Sequence, residues 1–134
     1  MRLYNWESRL SAYVTTVARE GFEYGRHDCA LFAAGAVEAV TGTDPGPAFR
    51  GRYSTLKGGL KAVRKAGFSD HVAVMRASCP AIPRASVMAA DLAIIGDGAE
   101  AALGVVQGAM IYVLRDTGLG LVPLDAATEY LGVR

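Results

Sequence analysis

The residues of this chain with the clearest chemical potential lie between Phe22 and Phe32, where an aromatic and glycine-containing loop leads into Cys29. The alanine-rich stretch after the cysteine predicts a helix, and Asp28 is a suitable N-cap residue for it. A helix N-terminus carries about half a positive charge, which favours the nucleophilic thiolate over the thiol. Cys29 is therefore a candidate nucleophile, and Asp28 either caps its helix or tunes the reactivity of the thiol.

A hydrolytic thiol also needs a base that accepts its proton and later protonates the leaving group. The chain holds two histidines, His27 and His71. His27 lies two residues before the cysteine, and at a helix start such neighbours point to different sides. His71 can reach Cys29 only if the segment around it folds back over the helix. The sequence leaves both as candidates for the base.

Length and composition limit the classes of function. The 134 residues, 51% hydrophobic and 20% charged, predict one domain that spans residues 1–134. The net charge is +1 with the basic residues spread along the chain, which argues against a nucleic-acid partner. No apolar run approaches the roughly 18 residues of a membrane span, and the N-terminus has no signal-peptide pattern. We expect a protein made in a cytoplasm.

The cysteines and histidines also bear on metals and disulfides. Cys29 and Cys79 are 50 residues apart, and with two histidines they show no spacing typical of a metal site. The glycines near residues 96–108 lack the strand–loop–helix context of a phosphate-binding loop. We therefore expect no metal and no cofactor. In a cytoplasm both cysteines are expected to be free thiols, although the sequence also allows a bridge between them.

Hydrophobic periodicity predicts helices in the first half of the chain and strands in the second. Helices are predicted over residues 6–20, 28–40 and from Ser54 to Gly67. Short strands are predicted over residues 91–95, 103–106, 110–114 and 119–124. A further short strand is expected from Val72 to Met75, and a short helix over 126–130 before a final strand. This order predicts an α+β domain, with N-terminal helices packed on a short, mainly antiparallel sheet.

The segment around the cysteine resembles the NlpC-like cysteine peptidases, which have a papain-like fold. Their nucleophile opens a helix in a pattern of the type Trp/Tyr-Gly-x-x-x-Asp-Cys-Ser-Gly-Phe. Here Tyr24-Gly25, Asp28-Cys29 and Phe32 match it, and Ala90-Asp91-Leu92 stands where that family has a Gly-Asp-Leu strand start. The resemblance covers roughly residues 21–114 and implies a papain-like domain of the NlpC type.

One departure from that family concerns the base. In the peptidases the catalytic histidine opens the second strand in a His-Val-Gly pattern, whereas the equivalent segment here is Leu103-Gly104-Val105. Leucine cannot accept a proton, so the expected base is missing at Leu103. The chain is also similar to small proteins encoded in the tail-gene clusters of phages and prophages, in the region of Tyr53-Ser54 and in this Leu-Gly-Val strand.

Two functions follow from these resemblances. The first is a phage or prophage tail-tip or tail-assembly protein, with an NlpC-like fold and a lost catalytic histidine. It would be made in the bacterial cytoplasm, bind other tail-tip proteins and end in the virion tail. The alternative is an active cysteine peptidase or amidase that binds peptidoglycan peptides and cleaves their stems with Cys29. The sequence favours the first, leaves open whether the chain is an enzyme, and also allows acyl transfer by a thiol without a histidine.

Overall fold

Within the described residues, which are 1–134 apart from the side chain of Ala99, this computed structural model has four α-helices followed by a six-stranded sheet. The helices are α1 (Trp6–Val17), α2 (Cys29–Thr41), α3 (Leu56–Lys65) and α4 (His71–Ser78). The strands are β1 (Ala81–Ile82), β2 (Leu92–Ile95), β3 (Ala102–Val106), β4 (Met110–Arg115), β5 (Gly118–Pro123) and β6 (Glu129–Leu131). None of these helices is long and apolar enough to cross a membrane.

The sheet has the strand order β1-β6-β2-β3-β4-β5, and all its pairings are antiparallel. The predicted α+β class with a mainly antiparallel sheet is therefore confirmed. Helix α2 lies against α1 and β3. It can approach both closely because its alanines at 33, 34 and 36 are buried and add little volume between the backbones.

The sheet carries apolar side chains on both faces. Successive side chains of a strand point to opposite sides, and the central strands are apolar at consecutive positions. In β2, Leu92 and Ile94 lie in the main core between the sheet and the helices, together with Phe32 of α2. Ala93 belongs to a smaller cluster on the other face with Ile111. The main core fixes α2, and hence the cysteine at its first residue, against the sheet.

Two helix boundaries differ from the prediction. Helix α1 ends at Val17, three residues before the predicted end. Helix α3 is capped by Thr55 rather than Ser54, because the Thr55 hydroxyl accepts a hydrogen bond from the Gly58 amide at 3.0 Å. Both differences lie within one turn, so the predicted helices themselves are confirmed.

The strand predicted from Val72 to Met75 is wrong, because these residues lie in helix α4. Asp70 caps this helix by accepting a hydrogen bond from the Ala73 amide at 2.8 Å. Val72, Met75 and Cys79 recur at spacings of three and four, and all three are buried in the main core. A short apolar run fits the period of a helix and that of a strand, and here the helix is favoured because it buries these residues on one face.

The predicted helix over residues 126–130 is also wrong. A single 3₁₀ turn over Leu124–Ala126 occupies the start of this segment, and residues Glu129–Leu131 form β6 instead. β6 lies between β1 and β2 in the sheet, so its backbone hydrogen bonds are satisfied on both edges. The expected final strand is therefore present but begins earlier in the chain.

A buried carboxylate ties distant parts of the chain together. Asp91 has no exposed surface and pairs with Arg2 at 3.0 Å and with Arg134 at 3.1 Å. It also accepts hydrogen bonds from the amides of Met88 at 2.9 Å and Val133 at 3.0 Å. Four donors thus compensate the cost of burying this charge.

Candidate active site

The loop before α2 has a conformation that delivers the cysteine to the helix start. Glu23 and His27 exchange two backbone hydrogen bonds, of 2.9 and 2.8 Å, which close the loop. Gly25 between them has a φ of +83°, and a Cβ atom there would lie 1.8 Å from the carbonyl oxygen of Tyr53. Only glycine fits both this backbone conformation and this close approach.

Asp28 is the N-cap of α2 and also fixes a tyrosine beside the cysteine. One carboxylate oxygen accepts a hydrogen bond from the Leu31 amide at 2.9 Å. The other accepts from the Gly25 amide at 3.0 Å and from the Tyr53 hydroxyl at 2.5 Å. Asp28 is buried, and these three donors together with the helix N-terminus offset the cost of burying its charge.

The thiol of Cys29, the first residue of α2, is held in its neutral form. Burial raises its pKa above the ordinary value, and the charge of Asp28 acts in the same direction. The amides of Leu103, Ala30 and Cys29 itself face the sulfur and lower the pKa, but by less than burial raises it. The helix N-terminus therefore does not produce a resting thiolate here.

Cys29 opens into a cavity of about 360 Å³, which we call the thiol cavity. It contains Cys29, Tyr53 and His71, and its walls come from the loops before and after α2 and from helices α2, α3 and α4. Cys29 itself is half-buried, so its sulfur lies in the wall of a space that a ligand can enter. Cys79, the second free thiol, is buried in the main core, where burial raises its pKa to about 11.

His71, the first residue of α4, lines the same cavity as Cys29. Its Nε2 lies 2.6 Å from the carbonyl oxygen of Ala101. A carbonyl oxygen can only accept a hydrogen bond, so Nε2 carries the proton and donates it. In the neutral ring the lone pair is then on Nδ1, which leaves that atom able to act as a base.

The backbone at the start of strand β3 contacts both Cys29 and His71 from one edge. In an extended strand, the carbonyl of one residue and the amide two residues later point to the same side. Here the carbonyl of Ala101 accepts from His71, and the amide of Leu103 faces the sulfur of Cys29. β4 pairs with β3 only at Val105 and Val106, which leaves this stretch of the edge open to α2 and α4.

The other residues that the sequence singled out lie elsewhere. The side chain of Leu103 is fully buried in the main core, so this position supplies an amide and no base. His27 is buried outside the lining of the thiol cavity, with its ring edge-to-face on Phe32 and its Nδ1 3.9 Å from Glu20. Burial lowers the pKa of His27, so it is neutral near pH 7. Of the two candidate bases, His71 therefore lines the thiol cavity with Cys29, and His27 does not.

Sequence reasoning missed two features of this site. The hydrogen bond between Tyr53 and Asp28 joins residues 25 positions apart, and nothing local in the sequence indicates it. The placement of His71 depends on α4, which was read as a strand; Asp70 before it was the capping signal that could have identified this helix. Among the described residues there is no group of His, Cys, Asp and Glu side chains arranged to hold a metal ion.

Comparison with known families places the whole site within one domain family. The family described as "Domain of unknown function (DUF6950)" matches residues 1–133. None of the curated proteins matches this sequence. The family match spans both α2, with Cys29 at its start, and α4, with His71, so the thiol cavity is part of the family's domain.

Proposed function

We propose that this chain, which belongs to the DUF6950 family, is a thiol-dependent hydrolase of the cysteine peptidase or amidase type on a papain-like scaffold. Cys29 is the nucleophile and His71 is the base. The observation that carries the proposal is the shared cavity: His71 lines the same pocket as Cys29, with its Nε2 bound to the carbonyl of Ala101. The resemblance to NlpC-like peptidases makes peptidoglycan stem peptides the first substrate class to test.

The reaction begins from the neutral thiol, because burial raises the pKa of Cys29. As Sγ attacks the substrate carbonyl, Nδ1 of His71 takes the thiol proton and an S–C bond forms. The amides of Cys29 and Ala30, at the N-terminus of α2, stabilise the negative charge that develops on the carbonyl oxygen. His71 then protonates the leaving nitrogen or oxygen as its bond to the carbonyl carbon breaks.

Water completes the cycle. It attacks the thioester on Cys29 and gives one proton to His71, and the S–C bond breaks to release a carboxylic acid. His71 returns its proton to the sulfur, which restores the resting thiol. The Ala101 carbonyl keeps the ring oriented throughout and stabilises the imidazolium, as the third member of a triad does.

Burst kinetics with p-nitrophenyl acetate test the proposal without assuming the natural substrate. Cys29→Ala should abolish acylation, and His71→Gln should slow it about 10²- to 10⁴-fold, the usual contribution of a general base. Glutamine can still donate to Ala101 but cannot accept the thiol proton. The matched control is His27→Gln, which should acylate within twofold of the wild type. Equal rates for His71→Gln and the wild type would refute the role of His71.

A second function is favoured by the absence of a base on β3. Leu103 presents only its amide to Cys29, and the thiol is neutral, which fits a scaffold that has lost its catalysis. In this alternative the chain is a structural component of a phage or prophage tail tip, bound to other tail proteins. If the wild type shows no burst with the ester, and Cys29→Ala still supports tail assembly, this alternative is the better one.

A further inference from the structure

Most of the side chains that line the thiol cavity are apolar. Helix α3 contributes Leu60 and Val63, helix α4 contributes Val74 and Met75, and the loop after α2 contributes Phe49. No lysine or arginine is among the described residues that line it. A stem peptide carries free carboxylates, and burying these charges requires cationic or donor partners that this cavity does not offer.

The buried and half-buried polar side chains of the cavity are already hydrogen-bonded within the protein. The Tyr53 hydroxyl donates to Asp28, and burial raises the tyrosine pKa, so the group stays protonated and keeps this bond. Asp28 accepts from three donors, and Nε2 of His71 is bound to Ala101. Glu100 is exposed. A peptide buried here would leave its amides without partners, whereas a hydrocarbon chain needs none.

We infer that the thiol cavity receives the apolar acyl group of the substrate, so that this chain acts on esters or amides of medium-length aliphatic acids rather than on peptidoglycan stems. This inference rests on the proposed function of Cys29 and His71. The acyl carbonyl lies at Cys29 Sγ and its chain extends between α3 and α4. The alcohol or amine leaves with the proton from His71, and water hydrolyses the thioester.

The volume sets the length of the acyl chain. A cavity of about 360 Å³ is at the small end of ligand pockets. It holds on the order of ten methylene-sized groups, if each takes about the 30 Å³ of a water molecule in the liquid. Each methylene removed from water should then raise kcat/KM about fourfold until the cavity is full.

The test is a series of p-nitrophenyl esters with acyl chains from acetyl to dodecanoyl. The value of kcat/KM should rise from acetyl to octanoyl and level off or fall by dodecanoyl. Leu60→Arg, which puts a charge on the half-buried wall, should remove this rise, so that the octanoyl ester is hydrolysed with no higher kcat/KM than the acetyl ester. Leu121→Arg, at an exposed leucine of β5 outside the cavity, is the matched control and should keep the wild-type profile.

Two further measurements separate this inference from the proposed function. If the wild type hydrolyses the acetyl ester through Cys29 but shows no chain-length dependence, or cleaves L-Ala-γ-D-Glu-diaminopimelate faster than the octanoyl ester, the inference is wrong and the hydrolase stands. Octanamide carries the acyl chain without a carboxylate, and its binding to Cys29→Ser, measured by calorimetry, tests the cavity without catalysis. Saturable binding that Leu60→Arg weakens at least tenfold supports the acyl site even if no ester is hydrolysed, and no binding overturns it.

Discussion

The substitution Gly25→Ala tests how tightly the loop before α2 is built against the segment that contains Tyr53. A left-handed backbone costs an alanine about 1–2 kcal/mol. In addition, the new Cβ would lie 1.8 Å from the Tyr53 carbonyl oxygen, so the two segments must move apart. Overpacking of this kind costs about 1–3 kcal/mol. Together the free energy of unfolding should fall by about 2–5 kcal/mol.

Gly67→Ala is the control for this substitution. Gly67 also has a left-handed backbone, with a φ of +97°, but nothing lies within 4 Å of a Cβ added there. Its loss should be confined to about 1–2 kcal/mol. Urea denaturation measures the free energy of unfolding of both variants. In thermal unfolding, Tm should fall by about 3–4 °C for each kcal/mol lost. Equal losses in the two variants would refute the argument that the contact with Tyr53 makes glycine necessary at position 25.

Three further predictions concern the core and its charges. Asp91→Ala should lower the free energy of unfolding by about 3–5 kcal/mol, because it leaves two arginines without their buried carboxylate, whereas Asp125→Ala, which removes an exposed ion pair, should lower it by less than about 1 kcal/mol in the same urea titration. Burial raises the pKa of Cys79 to about 11, so its neutral form stabilises the fold below about pH 9 and this contribution is lost as the pH rises towards 11. Between pH 8 and 10.5 the free energy of unfolding should fall by about 2 kcal/mol more for the wild type than for Cys79→Ala. Identical pH profiles of the two proteins would contradict this reasoning. Gly35→Ala places a Cβ 2.2 Å from the Tyr13 hydroxyl oxygen, and its effect should be less than additive with that of Tyr13→Ala in a double-mutant cycle; simple additivity would count against this contact.

The architecture could be predicted from the sequence because its signals are local. The loop, the capping carboxylate of Asp28 and the alanine-rich run all lie within a few residues of Cys29, and they identified α2 correctly. Strands β2 to β5 were found from short apolar runs between glycine-rich turns, whereas β6 begins where a helix was predicted. The error at Val72 arose because four residues cannot distinguish the period of a helix from that of a strand.

The site could be predicted only in part, because half of it depends on contacts between distant segments. Cys29 was identified from its own surroundings. The hydrogen bond that holds His71 spans 30 residues to Ala101, and it follows from the packing of α4 rather than from any pattern near the histidine. At Leu103 the sequence indicated the correct place beside the cysteine, but only the structure shows that the backbone amide is the group presented there.

The burial of Asp91 has a consequence for the order of folding events. Its two arginine partners are 89 and 43 residues away in sequence, so we expect the local pairing of β2 with β3 to precede both contacts. Until both arrive, water solvates the charge of Asp91 better than the partly folded chain does. The contacts of Asp91 should therefore form after the transition state, and Asp91→Asn should accelerate unfolding while leaving the folding rate nearly unchanged. The buried ion pairs of Asp91 would then slow unfolding without accelerating folding, and so contribute to kinetic rather than only thermodynamic stability.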